Sequence, residues 1–329
     1  MGINMLDMKQ SNSQTVLWSL CSCRTSTVKD MSQMTGLSFA TVGNILNNFL
    51  ESREVILGEM VSATGGRPSQ SYTFNAEYAH VLALSARVQK GKHVIHACVG
   101  NLYGEIIWQM EQCFDVIRLT SFETLINLSL QEYPTINSLS FSLPGVESNG
   151  IILTNDYTEL EGTAFTEHFQ EKYHLSVIIE NDVNAAVFGY DQTTNAASIT
   201  VGIYFPKYFG PGAGIVLDGK ILKGFCGFAG EVQLLPLGID WLSINYENPQ
   251  DIGPAIYRLI SVFCATVNPK YVVLYGDFFT ESVKETIRHI ISTQDLRNIF
   301  PTIIYQNNME SDIIAGLITQ AVSAYQSGA

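Results

Sequence analysis

Between Thr27 and Phe49 the apolar residues are spaced for two short helices broken by a glycine, and no other stretch of the chain limits its local fold as tightly. Val28, Met31 and Met34 fit one face of the first helix, which Ser26 or Thr27 can cap, and Gly36 stops it. From Ser38, a second candidate cap, Val42, Ile45, Leu46 and Phe49 recur at i, i+3, i+4 and i+7 and predict one buried stripe. The opposite face carries Thr41, Asn44, Asn47 and Asn48. Small hydrogen-bonding side chains on such a face suit a helix that enters the major groove of DNA. An earlier apolar run, Val16, Leu17 and Leu20, supplies a further helix.

Two β-prone stretches follow, Glu54–Leu57 and Gln70–Phe74, separated by a connection ending in Gly65-Gly66-Arg67-Pro68. They predict a hairpin wing whose glycines approach a phosphate backbone or minor groove and whose Arg67 binds phosphate. The competing reading is a three-helix bundle with a hairpin used for protein contacts. Residues 1–75 hold five Lys or Arg and five Asp or Glu, so the whole net charge of −13 falls on the remainder. An acidic body is repelled by DNA, which confines contact to the amino-terminal module and favours a dimer that doubles it.

Beyond Asn75 strands and helices alternate. Val81–Val88, Val94–Val99, Glu105–Gln109, Ile136–Phe141 and Val177–Glu180 read as strands of one lobe, with helices at Leu119–Gln131, Thr163–Tyr173 and from Asn184. A second cycle runs from Ala197 to a final helix at Asp312–Tyr325. The predicted organisation is α/β: a winged helix-turn-helix domain over residues 1–78, a first lobe over 79–195 and a second over 196–329, whose last helix can return to the first. Two lobes imply a cleft for a small ligand.

Three constellations are candidates for that cleft. Glu180-Asn181-Asp182 lies at a strand-to-helix transition, where Asp182 either accepts hydroxyl hydrogens or works as a general base, or else simply caps the helix. Gly210-Pro211-Gly212-Ala213-Gly214 allows close backbone approach or only a tight turn, and lacks the Gly-Lys-Ser/Thr ending of a phosphate-binding loop. The third, Gly224 to Gly230, delivers Glu231. No Lys or Arg is read as compensating these carboxylates, so a phosphate-bearing ligand is disfavoured and a hydroxyl-bearing one suits them. The six cysteines, Cys21, Cys23, Cys98, Cys113, Cys226 and Cys264, show neither zinc spacing nor a disulfide framework. His93 and His96 point to opposite faces of a strand.

The motifs Thr35-Gly36-Leu37-Ser38, Gly65-Gly66-Arg67-Pro68, Leu143-Pro144-Gly145-Val146, Glu180 to Ala186, Gly212-Ala213-Gly214-Ile215 and Gly224 to Glu231 occur in an order that resembles the ROK family of repressors and sugar kinases, in particular its xylose and N-acetylglucosamine repressor branch. The resemblance implies a winged helix-turn-helix domain followed by a two-lobed, actin-like sugar kinase fold. It also implies that residues matching Asn181 and Asp182 bind sugar hydroxyls, with the aspartate as base in the kinases, and that one matching Glu231 contacts the sugar. Departures accompany it. Ser85 stands where the kinases carry a metal-associated aspartate, Tyr204 to Phe209 and Leu274 to Phe278 replace glycine-rich nucleotide turns, and Leu234 replaces a zinc-binding histidine, with no cysteine in Leu235–Ile252. Trp241 in that stretch either stacks on a sugar or belongs to a core or interface.

From these features the chain is expected to be a cytoplasmic DNA-binding regulator, a repressor and a homodimer or homotetramer. Ser38, Thr41, Asn44, Asn48 and Arg67 would touch operator DNA, and Asn181, Asp182 and Glu231 a sugar effector. No enzyme activity, cofactor, metal or membrane partner is expected. A sugar kinase with an atypical nucleotide loop and a ligand-independent DNA-binding or scaffold protein are the alternatives.

Overall fold

A computed structural model describes residues 5–61, 68–89, 91–194, 198–206, 209–225, 227–293 and 299–327. Its amino-terminal part consists of α1 (Met5–Cys23), β1 (Thr25–Thr27), α2 (Val28–Thr35), α3 (Phe39–Ser52), β2 (Val55–Val61) and β3 (Ser69–Phe74). Thr27, rather than Ser26, caps α2 by accepting the Asp30 N–H at 3.2 Å, and Gly36 ends it in the left-handed region at φ 71°. Ser38 caps α3 by accepting the Thr41 N–H at 3.1 Å. Val42, Ile45 and Leu46 are buried together with Val16, Leu17, Leu20 and Met31, so the stripe on α3 sets which face turns outward. The hairpin of β2 and β3 is antiparallel with a bulge between Leu57 and Met60, and β1 adds a third strand along the other edge of β3.

The body contains two sheets of one design. In the first lobe β4 (His80–Gln89), β5 (Lys92–Asn101) and β6 (Ile106–Phe114) form an antiparallel meander. Helix α4 (Leu119–Glu132) leads to β7 (Ile136–Leu143), a small hairpin of β8 (Val146–Ser148) and β9 (Ile151–Thr154) follows, and α5 (Phe165–Tyr173) leads to β10 (Ser176–Asn181). Strands β7 and β10 join β4 in parallel, giving the order β10-β7-β4-β5-β6. Parallel neighbours need a crossover connection, and the intervening helices supply it. Helix α6 (Asp182–Thr194) then leaves the first lobe.

The second lobe repeats the pattern with β11 (Thr200–Tyr204), β12 (Gly212–Leu217), β13 (Lys220–Ile221), α7 (Pro249–Thr266), β14 (Tyr271–Tyr275), α8 (Glu281–Ser292) and β15 (Thr302–Gln306), in the order β13-β12-β11-β14-β15. Thr280 caps α8 by accepting the Val283 N–H at 3.4 Å. Trp241 is buried against Phe205, with ring centroids 5.9 Å apart, and so belongs to the core of this lobe.

Each lobe lends a helix to the other. Helix α6 packs on β11 and β12 of the second lobe, and the final helix, α9 (Met309–Ser327), packs on β4 and β7 of the first. The two helices cross where Gly189 of α6 and Gly316 of α9 face each other's backbones. A Cβ on Gly189 would sit 1.9 Å from the Asp312 carbonyl oxygen, and one on Gly316 would sit 2.1 Å from that of Ala185.

The amino-terminal module is docked on the first lobe. Arg24 pairs with Glu105 at 2.7 Å and lies 4.4 Å over the Tyr103 ring, whose hydroxyl donates to the Phe74 carbonyl at 3.0 Å. Trp18 of α1 meets Tyr325 at the far end of α9 edge-on at 6.1 Å. Leu102, on the turn between β5 and β6, is buried in the module's own core.

Glycine in an exposed helix is worse than alanine by about 1 kcal/mol, so Gly→Ala normally stabilises. At this crossing the sign should reverse. Gly189→Ala and Gly316→Ala are each expected to lose about 1–3 kcal/mol or more through forced separation of backbones, read as a lower midpoint in chemical denaturation.

Candidate functional site

Two surfaces carry the chemistry. The first is the outward face of α3, where Asn44, Asn47 and Asn48 are exposed and Thr41 is half-buried. Ser38 is exposed, but its hydroxyl lies 2.8 Å from that of Thr41 in a mutual hydrogen bond, so these two side chains are partly committed to the helix start. Arg67 lies outside the described residues. Arg24, one of the module's few cations, is held by Glu105 of the body.

The second is a cavity of about 290 Å³ between the lobes. The end of β10 and the start of α6 supply Asn181 and Asp182, the segment after β9 supplies Asp156, and Tyr204 and Glu231 enter from the second lobe. The three sequence-predicted residues Asn181, Asp182 and Glu231 therefore line one cavity. Glu231 is aimed by the preceding Gly230, at φ 103°, whose Cα lies so close to the Ala213 carbonyl that a Cβ would be 1.8 Å from the oxygen. Gly212-Ala213-Gly214 forms the start of β12 beside it.

Asn181 differs from its expected role. Its Oδ1 accepts the Val183 and Asn184 N–H groups at 2.9 and 3.2 Å, and its Nδ2 donates to the Gly145 carbonyl at 3.1 Å. Asn181, not Asp182, is thus the main cap of α6, and most of its hydrogen-bonding capacity is spent on the cleft wall. Asp182 accepts the Val183 N–H at 2.8 Å through Oδ1 and lines the cavity.

Burial pushes the Asp182 carboxyl up to about 6, with the Asp156 and Glu231 charges adding to the rise and the Val183 N–H opposing it. Sequence reading missed the cation here. Lys223, next to Gly224, reaches across the lobes to Glu180 at 2.9 Å, and Glu180 is 4% exposed. The expectation that no basic residue compensates these motifs is therefore corrected: loop Lys223 precedes the glycine run by one residue, but only the fold brings it to β10. Lys223 neutralises Glu180 rather than Asp182 or Glu231.

A second charged contact fills the ground around Ser85. Glu310, in the first turn of α9, lies 2.8 Å from both Arg87 and His96 and accepts from the Ser85 hydroxyl at 3.2 Å. Arg87 also pairs with Glu111. Among the described residues no group of three or more His, Cys, Asp or Glu is placed to hold a metal ion, and no helix is long and apolar enough to cross a membrane.

An acid whose folded-state pKa is raised binds its proton more tightly in the folded protein, so its charged form lowers stability as pH rises from about 4 to about 6. Asp182→Asn keeps the acceptor for Val183 and removes that charge. The variant is expected to be more stable than the parent at pH 7.5 by on the order of 1 kcal/mol and indistinguishable from it at pH 3.5; unfolding at the two pH values measures this.

Residues 86–237 match the model of the ROK family. The xylose repressor of Caldicellulosiruptor bescii is 26% identical over 238 residues, covering 68% of this chain, and the chain spans 58% of that repressor's length. Among solved structures, a ROK family transcriptional regulator, a homolog of the E. coli MLC protein, superposes with a TM-score of 0.69 at 18% identity, covering 96% of each chain. The ROK hexokinase of Thermus thermophilus superposes with a TM-score of 0.55 at 18% identity, over 76% of this chain and 99% of that one. The expectation that the chain is not an enzyme is overturned by this second likeness: the body carries the fold of a hexokinase. The family-model match over residues 86–237 and the superposition of the α/β body and winged amino-terminal module agree in one likeness, to the ROK family.

Proposed function

We propose that the chain is a sequence-specific DNA-binding regulator of transcription, acting as a repressor in the cytoplasm, with an unphosphorylated sugar or amino sugar as effector. The observation that carries this reading is the outward polar face of α3 on a module docked to a body with a polar interlobe cavity. Asn44 and Asn48 are the proposed base readers, since a carboxamide can bind adenine through two hydrogen bonds. Ser38, Thr41 and Arg67 are assigned to phosphate and groove contacts. Asp182 and Glu231 accept sugar hydroxyls, and Asn181 shapes the wall beside them.

The proposed coupling runs through the crossed helices. The start of α6 carries Asp182, its middle touches α9 at Gly189 and Gly316, and α9 ends at Tyr325 against Trp18 of the DNA module. A sugar that draws the lobes together changes the angle of this crossing and so the seat of the module. Such a switch works only if the ligand binds the two arrangements with different affinity.

A second reading is favoured by the same cavity: an aspartate with a raised pKa beside sugar hydroxyls suits general-base work, and the fold is shared with a hexokinase. Phosphorus NMR of the protein with ATP and a sugar panel reads that activity, and turnover lost in Asp182→Asn is its expected signature.

For the regulator, binding to DNA from the chain's own upstream region should exceed binding to scrambled DNA and weaken steeply with salt. A sugar found by calorimetry should release that DNA, and Asp182→Ala with Glu231→Ala should abolish sugar binding while sparing DNA binding. Equal, negligible binding to both DNAs at low salt would reject the reading. The proposed dimer should appear in light scattering as twice the chain mass across a concentration series, and a monomer throughout would reject it.

A further inference from the structure

We infer that Phe39, the first residue of α3, reads thymine methyl groups in the major groove, so that the recognition helix selects A·T pairs by apolar contact as well as by amide hydrogen bonds. The inference rests on the DNA-binding reading above and adds a base-selecting residue to it.

Phe39 is 63% exposed, although it is a large apolar residue beside a well-formed core. Its position is fixed from both sides. The buried stripe of Val42, Ile45 and Leu46 sets the rotation of α3, and the Ser38 cap, with its bonds to the Thr41 N–H and hydroxyl, fixes the first turn. Phe39 and Ala40 are both exposed at the leading end of α3, where Ala40 heads the face that carries Asn44 and Asn47 and Phe39 lies at the edge of that face next to the buried stripe. In a helix-turn-helix the leading residues of the second helix are the ones that reach base edges.

The chemistry of the helix narrows what those residues can recognise. Residues 39–52 contain no Lys or Arg, so α3 cannot make the bidentate arginine contact to guanine that is the commonest specific contact to DNA. The leading edge, Phe39-Ala40-Thr41, is instead aromatic ring, methyl, and a hydroxyl already bonded to Ser38. The apolar group that a base presents in the major groove is the C5 methyl of thymine, and phenylalanine, alanine and the threonine methyl are the side chains that contact it. Asn44, one turn on from Ala40, matches an adenine of a neighbouring pair.

The test uses the full-length protein. A random duplex library is selected for binding, and the enriched site is remade with deoxyuridine replacing thymidine one position at a time, which removes a methyl and leaves base pairing intact. Burying one methyl corresponds to about a fourfold change in affinity, so one or two positions in each half-site should cost the parent protein about fourfold each. Phe39→Ala should bind the thymine site more weakly and be indifferent to uracil at those positions, while Phe39→Leu should keep part of the discrimination. Uracil at every position with no loss in the parent would overturn the inference, as would an undiminished uracil penalty in Phe39→Ala. A parent protein that enriches no sequence would overturn the DNA-binding reading itself, which separates the two failures. The side chain is mostly exposed, so the variants should fold, and matching melting curves check it; the uracil substitutions leave the protein untouched.

Discussion

The approach of α6 and α9 at Gly189 and Gly316 is the contact on which the remaining geometry depends. Two backbones that close leave no room for a side chain at either glycine, and the small neighbours Ala185 and Ala186 carry the same contact along α6. Because each helix is lent by one lobe to the other, the crossing joins two sheets that would otherwise meet only at loops. It also fixes the direction of four ends. One is the start of α6, with Asp182 in the cleft; another is the start of α9, where Glu310 holds Arg87 and His96. The third is the end of α9, where Tyr325 meets Trp18, and the last is the end of α6 beneath the second sheet, where Asp191 accepts from the buried Thr200 hydroxyl at 2.7 Å.

The cleft is electrically mixed in a way that individual motifs conceal. Glu180 is the deeper carboxylate and is neutralised from the opposite lobe by Lys223, whereas Asp182 keeps its charge cost and a pKa of about 6. The bridge from Lys223 runs from one lobe to the other, while Glu310 ties the start of α9 to β4 and β5 of the first lobe. Burying charge is costly unless it is paired, and here the pairing residues sit on different lobes, which ties the electrostatic state of the cavity to its degree of opening.

Much of the architecture was legible where local pattern and tertiary role agree. The buried stripe on α3 and the caps at Thr27 and Ser38 follow from spacing and side-chain chemistry. The features that escaped depend on distant partners. Strand β1 is three residues long and exists because β3 offers an edge. The hairpin of β8 and β9 has strands of three and four residues and too little alternation to read. Asn181 was legible as a cleft residue but not as the helix cap, since a carboxamide at a strand end serves either role until the backbone is known. Lys223 stood next to a recognised motif, yet its partner lies on another lobe. The exclusion of enzyme activity failed for a different reason: replaced residues in single motifs describe local chemistry, whereas the fold shared with a hexokinase is a property of the whole body.

The docking of the amino-terminal module by Arg24 on Glu105 and Tyr103, and by Trp18 on Tyr325, has a geometric consequence. A DNA-reading head on a loose tether samples many separations and accepts targets at varied spacing. Here the head shares a core with the body at Leu102, so α3 is oriented by the first lobe itself. Under the proposed DNA-binding reading, the angular phase between the α3 helices of two copies is set by the interface between bodies and not by a linker.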